Sequence, residues 1–334
     1  MNWEILIPSI KSLIINPPPI RVWKNIFKYK YFQLKKIPIV NHSPLSLVIY
    51  VSKRCNFKCE FCFTYDDLNQ SNWGEFELDE SSFKKMLYSK MGKETLRVGF
   101  LGGEPFLNQN LFQLVKMAHQ HGKITTIVTN ASLINDKVIN DLLKDYPTLL
   151  GISLYDNNSN EVEKLCKILN ENKKKFWVQS VVDAENINQI ISKIEFAHRN
   201  KIKNLILSNY NPSYSGLIQK VIFNDNNEFA DISKKAKKLA KQYGITLTLP
   251  QTIDRKHNLR KCEMPFSYVH VDAKGNLGPC CFRAPNSKYG NIFEYESWNN
   301  SEHTALRETF LNSNLSPLTE CNNCENFSRD LYGV

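Results

Sequence analysis

Nine cysteines are present, and all but Cys166 fall into tight groups: Cys55, Cys59 and Cys62; Cys262, Cys280 and Cys281; Cys321 and Cys324. The first group reads Cys55-Asn-Phe-Lys-Cys59-Glu-Phe-Cys62, a C-x3-C-x2-C run. Three thiolates are one short of a closed four-coordinate site. A structural zinc would want a fourth cysteine or histidine close by, and the nearest, His42, lies upstream. On a [4Fe–4S] cluster, three thiolates leave one iron for a non-protein ligand. Open positions of this kind are where metal chemistry happens. The tetrapeptide Gly102-Gly103-Glu104-Pro105 is the second motif. Its glycines allow close backbone approach or positive φ, Glu104 offers an acceptor suited to an ammonium group, and Pro105 stiffens the turn. The third constellation is Cys262-x12-Gly275-x4-Cys280, then Cys281, then Cys321-Asn-Asn-Cys324. Four thiolates suit zinc or a fully ligated [4Fe–4S] cluster, and spacing alone does not choose between them.

These groups need elements to hold them. Short β-rich runs at 45–52, 96–102, 124–130, 148–154, 176–182 and 203–209 alternate with segments of helical apolar spacing, such as Leu111/Leu114/Val115/Ala118. Six βα units in a row predict an α/β protein with a parallel sheet and helices outside it. Right-handed crossovers without a reversal curl such a sheet toward a barrel; six units rather than eight predict a partial, open (β/α)6 TIM-like barrel. Sites in this architecture sit at the carboxyl ends of the strands, so the cysteine loop and the GGEP turn should share one rim. Further on, residues 268–273 and the returning LGPCC predict a β-hairpin turning at Lys274-Gly275-Asn276, which brings Cys262 and Cys280 together.

The chain has 334 residues, 42% hydrophobic and 23% charged, enough to bury a full core. It needs no disulfide framework, and clustered cysteines in a large chain read as metal ligands. Cys166, on the apolar side of a helix, reads as a plain buried thiol. The net charge of +10 permits an anionic partner without proving one. Lysine heavily outnumbers arginine, so the basic faces, including the lysines of 228–243, read as solvated rather than as a nucleic-acid site. No run approaches the ~18 apolar residues of a membrane span, and prolines interrupt the start where a signal peptide would lie; a cytoplasmic protein is expected. Residues 1–44 read as a basic, aromatic cap, either packed on the barrel or touching lipid. The barrel is expected over 45–227, a connecting helix and strand over 228–260, and a small cysteine-stapled hairpin domain over 261–334.

With C-x3-C-x2-C after the first strand and GGEP after the second, the chain resembles the radical S-adenosylmethionine (SAM) enzyme superfamily. The resemblance implies that Cys55, Cys59 and Cys62 hold a [4Fe–4S] cluster whose open iron is chelated by the methionine part of SAM. It places Glu104 on the SAM amino group, within the Gly102–Pro105 turn, and Phe61 beside the adenine. Asn130 and Ser153, at the ends of the third and fourth strands, resemble further SAM contacts. The C-terminal cysteines look like the auxiliary-cluster extensions called SPASM and twitch domains, with Cys262, Cys280, Cys321 and Cys324 as ligands and Cys281 ambiguous. Having no further cysteines after Cys324, the chain resembles the twitch type with one auxiliary cluster. The chemistry implied is reductive cleavage of SAM, with electrons from a flavodoxin- or ferredoxin-type reductant, to a 5′-deoxyadenosyl radical. That radical abstracts a substrate hydrogen atom, and the auxiliary cluster takes the remaining electron. Peptide-modifying relatives often carry a winged-helix leader-binding domain for which residues 1–44 are too short. The expectation is therefore oxidation of a small molecule such as a sugar or aminocyclitol, with maturation of a ribosomally made peptide as the alternative. The base that would take a proton from the substrate is not assigned; Tyr210, Tyr214, His270 and Asp272 are candidates.

Overall fold

The structure, a computed structural model, describes residues 9, 11–62, 77–212, 216–254 and 262–312 and the single positions 315, 318, 321 and 324. Six parallel strands follow where the β-rich runs fall: β1 (Ser46–Tyr50), β2 (Arg97–Leu101), β3 (Ile124–Thr129), β4 (Leu149–Ser153), β5 (Phe176–Val182) and β6 (Asn204–Asn209). Strands covered on both faces lose the apolar–polar alternation; all five residues of β4 are buried. The helices before and between them are α1 (Ile20–Lys35), α2 (Glu80–Tyr88), α3 (Lys90–Glu94), α4 (Leu111–Gln120), α5 (Asp136–Lys144), α6 (Ser159–Glu171) and α7 (Gln189–Arg199). Asp79 and Asn135 cap α2 and α5, their side chains accepting from the Ser82 and Val138 N–H groups. Helical spacing turns Leu111, Leu114, Val115 and Ala118 of α4, and Val162, Leu165, Cys166 and Leu169 of α6, into the core.

The chain then forms α8 (Asn227–Gln242), β7 (Thr246–Thr248), α9 (Met264–Ser267), β8 (Tyr268–Val271), β9 (Leu277–Gly278) and α10 (Ser301–Leu311). The sheet runs β7-β6-β5-β4-β3-β2-β1-β8-β9 and does not close: it is the open, partial barrel. All neighbours are parallel except β8 and β9, which form the expected hairpin. Its turn has Gly275 at φ 89°. Ser46–Ile49 of β1 pair in register with Tyr268–Val271 of β8. The segment bearing the second cysteine constellation thus hangs on β1, the strand that delivers the first.

One buried arginine locks this attachment. Arg307 on α10 is fully buried and donates to the carbonyls of Pro265 (2.8 Å), Pro38 (3.1 Å) and Trp298 (2.8 Å) and to Asn299 Oδ1 (2.8 Å). Its guanidinium lies 4.3 Å from the Trp298 ring centroid. Replacement by methionine keeps much of the volume but leaves buried acceptors unpaired, at about 1–3 kcal/mol each where nothing relaxes. We expect Arg307→Met to lose roughly 3 kcal/mol of stability, read from the anaerobic denaturation midpoint; a shift within error would mean that water replaces the guanidinium.

Candidate functional site

The carboxyl ends of β1 to β4 converge on one cavity of about 190 Å³. Cys55, Cys59, Cys62 and Phe61 enter it from the loop after β1, Gly102, Gly103 and Glu104 from the turn after β2, and Asn130 and Ser153 from β3 and β4. Pro105 is not among its lining residues; it is buried and opens a single 3-10 turn, Pro105–Leu107.

The two glycines act on the protein's own chain. Gly102 sits at φ 136°, and a Cβ there would stand 2.3 Å from the Ser52 carbonyl oxygen; at Gly103 a Cβ would stand 2.0 Å from that of Arg54. The GGEP backbone thereby lies directly against the start of the cysteine loop, with Gly103 N–H donating to Ser52 O (2.7 Å) and Glu104 N–H to Arg54 O (2.8 Å). An Arg54–Glu77 ion pair flanks the same stretch.

Glu104 is buried, and burial pushes its carboxyl up to about 7 against the pull of three donors. These are the Thr129 hydroxyl (2.6 Å), the Asn130 N–H (2.8 Å) and the Phe106 N–H (3.0 Å). Asn130 turns its amide toward the cysteine loop, 3.1 Å from Asn56 Oδ1 and 3.9 Å from Cys55 Sγ. The Phe61 ring packs on Tyr155 with centroids 5.8 Å apart. Burial, then the neighbouring Cys62 and Cys55, hold the Cys59 thiol up at about 11, opposed by a hydrogen bond from Tyr155; a coordinated metal reverses that balance and takes the thiol as thiolate.

The second constellation converges too. Cys262, Cys280, Cys281, Cys321 and Cys324 line one cavity, and no carboxylate or imidazole stands among its described lining residues. Burial raises Cys262 and Cys281 well above the ordinary thiol range, with the other cysteines of the group adding to it. Cys281 therefore faces the same space as Cys280. Among the described residues no three His, Cys, Asp or Glu side chains gather tightly enough for one ion. A four-iron cluster takes one thiolate per iron, so its ligands need not meet at a point. An all-thiol donor set fits such a cluster at both cavities.

The family model described as the Radical SAM superfamily matches residues 49–211, and one described as an iron-sulfur cluster-binding domain, SPASM, matches 262–325. The chain belongs to the radical SAM superfamily. Radical SAM chains with this second domain carry a SAM-binding [4Fe–4S] cluster and an auxiliary iron–sulfur cluster. Similar curated proteins include a PqqA peptide cyclase of Bradyrhizobium diazoefficiens, 25% identical over 46% of this chain and 43% of that protein. A SAM-dependent nucleotide dehydratase of Lacinutrix mariniflava is 31% identical over 36% of this chain and 24% of its own. In each case the match spans less than half of the relative's length. Among solved structures, Streptococcus suis SuiB bound to SAM superposes with TM-score 0.63 at 22% identity, covering 87% of this chain and 73% of that one. Native anSMEcpe with bound AdoMet gives 0.62 at 18% identity, covering 84% and 87%. At these identities the likeness is one of fold.

The described candidate bases are absent from the lining of the first cavity and are already engaged elsewhere. Tyr210 donates to Glu60 Oε1 (2.8 Å), which also takes Lys220 (3.0 Å). Asp272 accepts from the Lys274 and Asn276 N–H groups (2.9 Å each) and shapes the hairpin turn. His270 is buried on β8, with Nδ1 2.7 Å from the Tyr50 hydroxyl; burial holds it neutral, down at about 3. Tyr214 lies outside the described residues. Four polar lining residues escape the motif reading of the sequence: Tyr50, Thr129, Tyr155 and Gln179. A polar side chain breaking an apolar run, as Gln179 does in FWVQSVV, is the available signal. Tyr50 is the most telling of them: it lines the first cavity, and burial, followed by Cys281, Cys280 and Cys62, raises its hydroxyl far above the ordinary range.

Proposed function

We propose that this radical SAM chain carries out a two-electron oxidative modification, with Cys55, Cys59 and Cys62 holding the SAM-binding cluster. Cys262, Cys280, Cys321 and Cys324 hold the auxiliary one, and Cys281 stands ready beside Cys280. When bound, the first cluster and SAM supply abstraction of a hydrogen atom from an unactivated carbon, and the second cluster supplies an electron acceptor. The observation that carries the reading is the gathering of two cysteine sets at two cavities, the second on a segment whose strand β8 pairs with β1. The two thiol sets line separate cavities, and the segment that carries the second hangs on the strand that delivers the first, which suits passage of an electron from one to the other.

The residues of the mouth supply position. Glu104 offers a buried carboxylate for the SAM ammonium; Asn130 and Ser153 present polar groups from adjacent strand ends; Phe61, backed by Tyr155, gives a flat apolar surface for a base. We read the substrate as a peptide, because the chain is similar to a PqqA peptide cyclase over 167 residues. A small-molecule substrate is the second reading, supported by the similarity to a nucleotide dehydratase. Anaerobic incubation with SAM, a reductant and candidate precursor peptides, followed by mass spectrometry, tests both. Formation of 5′-deoxyadenosine with loss of two hydrogens from a peptide supports the first. The same loss confined to low-molecular-weight compounds selects the second, and no cleavage of SAM under any condition rejects the proposal.

A pH prediction follows from Glu104. Its folded carboxyl is raised to about 7 by burial, so the charged form that attracts an ammonium is lost as pH falls through that value. SAM affinity should weaken several-fold from pH 8 to pH 6 in wild type and stay flat, and weaker, in Glu104→Gln; equilibrium dialysis with labelled SAM reads it. The sign for stability is opposite. A carboxyl raised in the folded state binds its proton more tightly there, so without SAM it favours folding more below pH 7 than above it.

A further inference from the structure

The face of α1 turned away from the barrel is apolar and aromatic. Ile20, Phe27 and Leu34 are 74%, 72% and 83% exposed, and Trp23 and Tyr31 are exposed beside them. At ~100° per residue these five fall within an arc of about 80°. Ile14, Ile15, Ile37 and Ile39, on either side of α1 in the chain, are exposed as well, so most of the exposed large apolar side chains among the described residues lie between positions 14 and 39. A surface helix ordinarily turns such a stripe inward. Here the inward face is taken: Val22, Asn25 and Tyr29 are buried, and polar anchors fix the rotation. Asn25 donates to Ser43 O (3.1 Å) and Glu94 O (3.3 Å) and accepts from Ser43 N–H (2.8 Å). Tyr29 and Gln33 donate to the Glu263 carboxylate at 2.6 and 2.9 Å. The stripe cannot roll under the protein without breaking these bonds.

The charges beside the stripe name the partner. Arg21, Lys24, Lys28 and Lys35 border it on one side and Lys30 on the other, Lys36 follows, and α1 contains no acidic residue. We propose that α1 docks this protein on an anionic phospholipid surface, with Ile20, Trp23, Phe27, Tyr31 and Leu34 in the headgroup–acyl boundary and the basic residues on lipid phosphates. An apolar stripe carrying tryptophan and tyrosine, rimmed by lysine, is the composition of helices that lie in the bilayer interface, and a basic rim adds attraction to anionic lipid within a Debye length. No helix of the described residues is long and apolar enough to cross a membrane, so the contact is peripheral. The geometry suits it. Ser43 and Glu94 precede β1 and β2, so α1 lies under the amino ends of the strands, opposite the cavity at their carboxyl ends. A lipid-docked chain keeps its mouth facing water.

The test uses the full chain with its clusters reconstituted, co-sedimented with phosphatidylcholine vesicles with and without one third phosphatidylglycerol. Binding should be at least tenfold tighter on the anionic vesicles, fall steeply with added salt, and shift Trp23 emission to the blue, a shift lost in Trp23→Phe. The double variant Phe27→Glu/Leu34→Glu, altered only at exposed positions, should lose vesicle binding at least tenfold while keeping iron content and SAM cleavage. Absence of binding to anionic vesicles overturns the proposal, as does binding undiminished in the double variant. A concentration-dependent dimer that the double variant abolishes, with no vesicle binding, would assign the stripe to a second copy of the chain instead.

Discussion

Replacing Cys59 by alanine is expected to take iron from about eight to about four atoms per reconstituted chain and to abolish 5′-deoxyadenosine formation. Cys59 is the middle of the three proposed ligands, on a loop pinned at both ends. Gly103 and Glu104 bond the backbone at Ser52 and Arg54, and Glu60 is tied to Tyr210 and Lys220 across the mouth. With the loop held, no other cysteine can slide in to replace a missing one, so the cluster is lost rather than rearranged. The complementary variant Cys262→Ala should also remove about four irons, yet leave SAM cleavage without substrate in place, since its thiol belongs to the other cavity. The two losses together distinguish a SAM site from an electron-acceptor site. About four irons in wild type, with zinc making up the remainder, would keep SAM cleavage and remove the electron-acceptor argument; Cys59→Ala retaining full cleavage would overturn the ligand assignment. Cys281→Ala adds a finer reading. Iron unchanged would make it a spare thiol beside Cys280, whereas partial loss would mean that the two neighbours share one iron.

The parts of this fold that were legible in the sequence are those encoded locally. Each of the first six strands is a short apolar, β-rich run closed by a turn, and each helix carries its own periodicity. The hairpin could be read from Gly275 and its flanks, which need only a few neighbouring residues. Its attachment could not: the pairing of β8 with β1 joins residues more than 200 positions apart, and nothing in Tyr268–Val271 specifies which edge it will choose. The same distance hid Tyr50. As a residue of β1 it is one more aromatic in an apolar strand; only the arrival of β8 gives its hydroxyl a partner, His270. Site residues that belong to motifs were visible because metal chemistry demands particular types at particular spacings. Tyr155, Thr129 and Gln179 were not, since Thr129 and Gln179 are positioned by strand register and Tyr155 by the turn after β4, where its N–H donates to Asn158 Oδ1. The cap's outward face was legible as composition but not as exposure, because periodicity in α1 identifies two faces without saying which one the barrel takes.

Gly103→Ala is expected to lower SAM cleavage at least a hundredfold and to release the first cluster's iron while the auxiliary iron stays. The sequence suggests that these glycines let backbone approach a ligand or take positive φ; Gly102 takes it, at 136°, and at Gly103 the close approach is to backbone. A methyl group at Gly103 would stand 2.0 Å from Arg54 O, 2.5 Å from Arg54 C and 2.7 Å from Lys53 O. None of these is the yielding end of a flexible side chain, so either the GGEP turn or the Ser52–Arg54 segment must move. Either movement breaks the Gly103–Ser52 and Glu104–Arg54 hydrogen bonds and displaces Cys55, the next residue. Gly99→Ala supplies the control, because Gly99 lies inside β2, ahead of the turn. Its added Cβ meets Val48 Cγ2 at 3.8 Å and Leu47 O at 3.9 Å, ordinary contacts, and should leave iron and cleavage near wild type. Equal loss in both variants would point to general destabilisation of β2, and full activity in Gly103→Ala would mean that the cysteine loop holds its shape without the glycine seat. The expected split, with one alanine tolerated and the other not, makes the turn after β2 the template on which the cluster loop is formed.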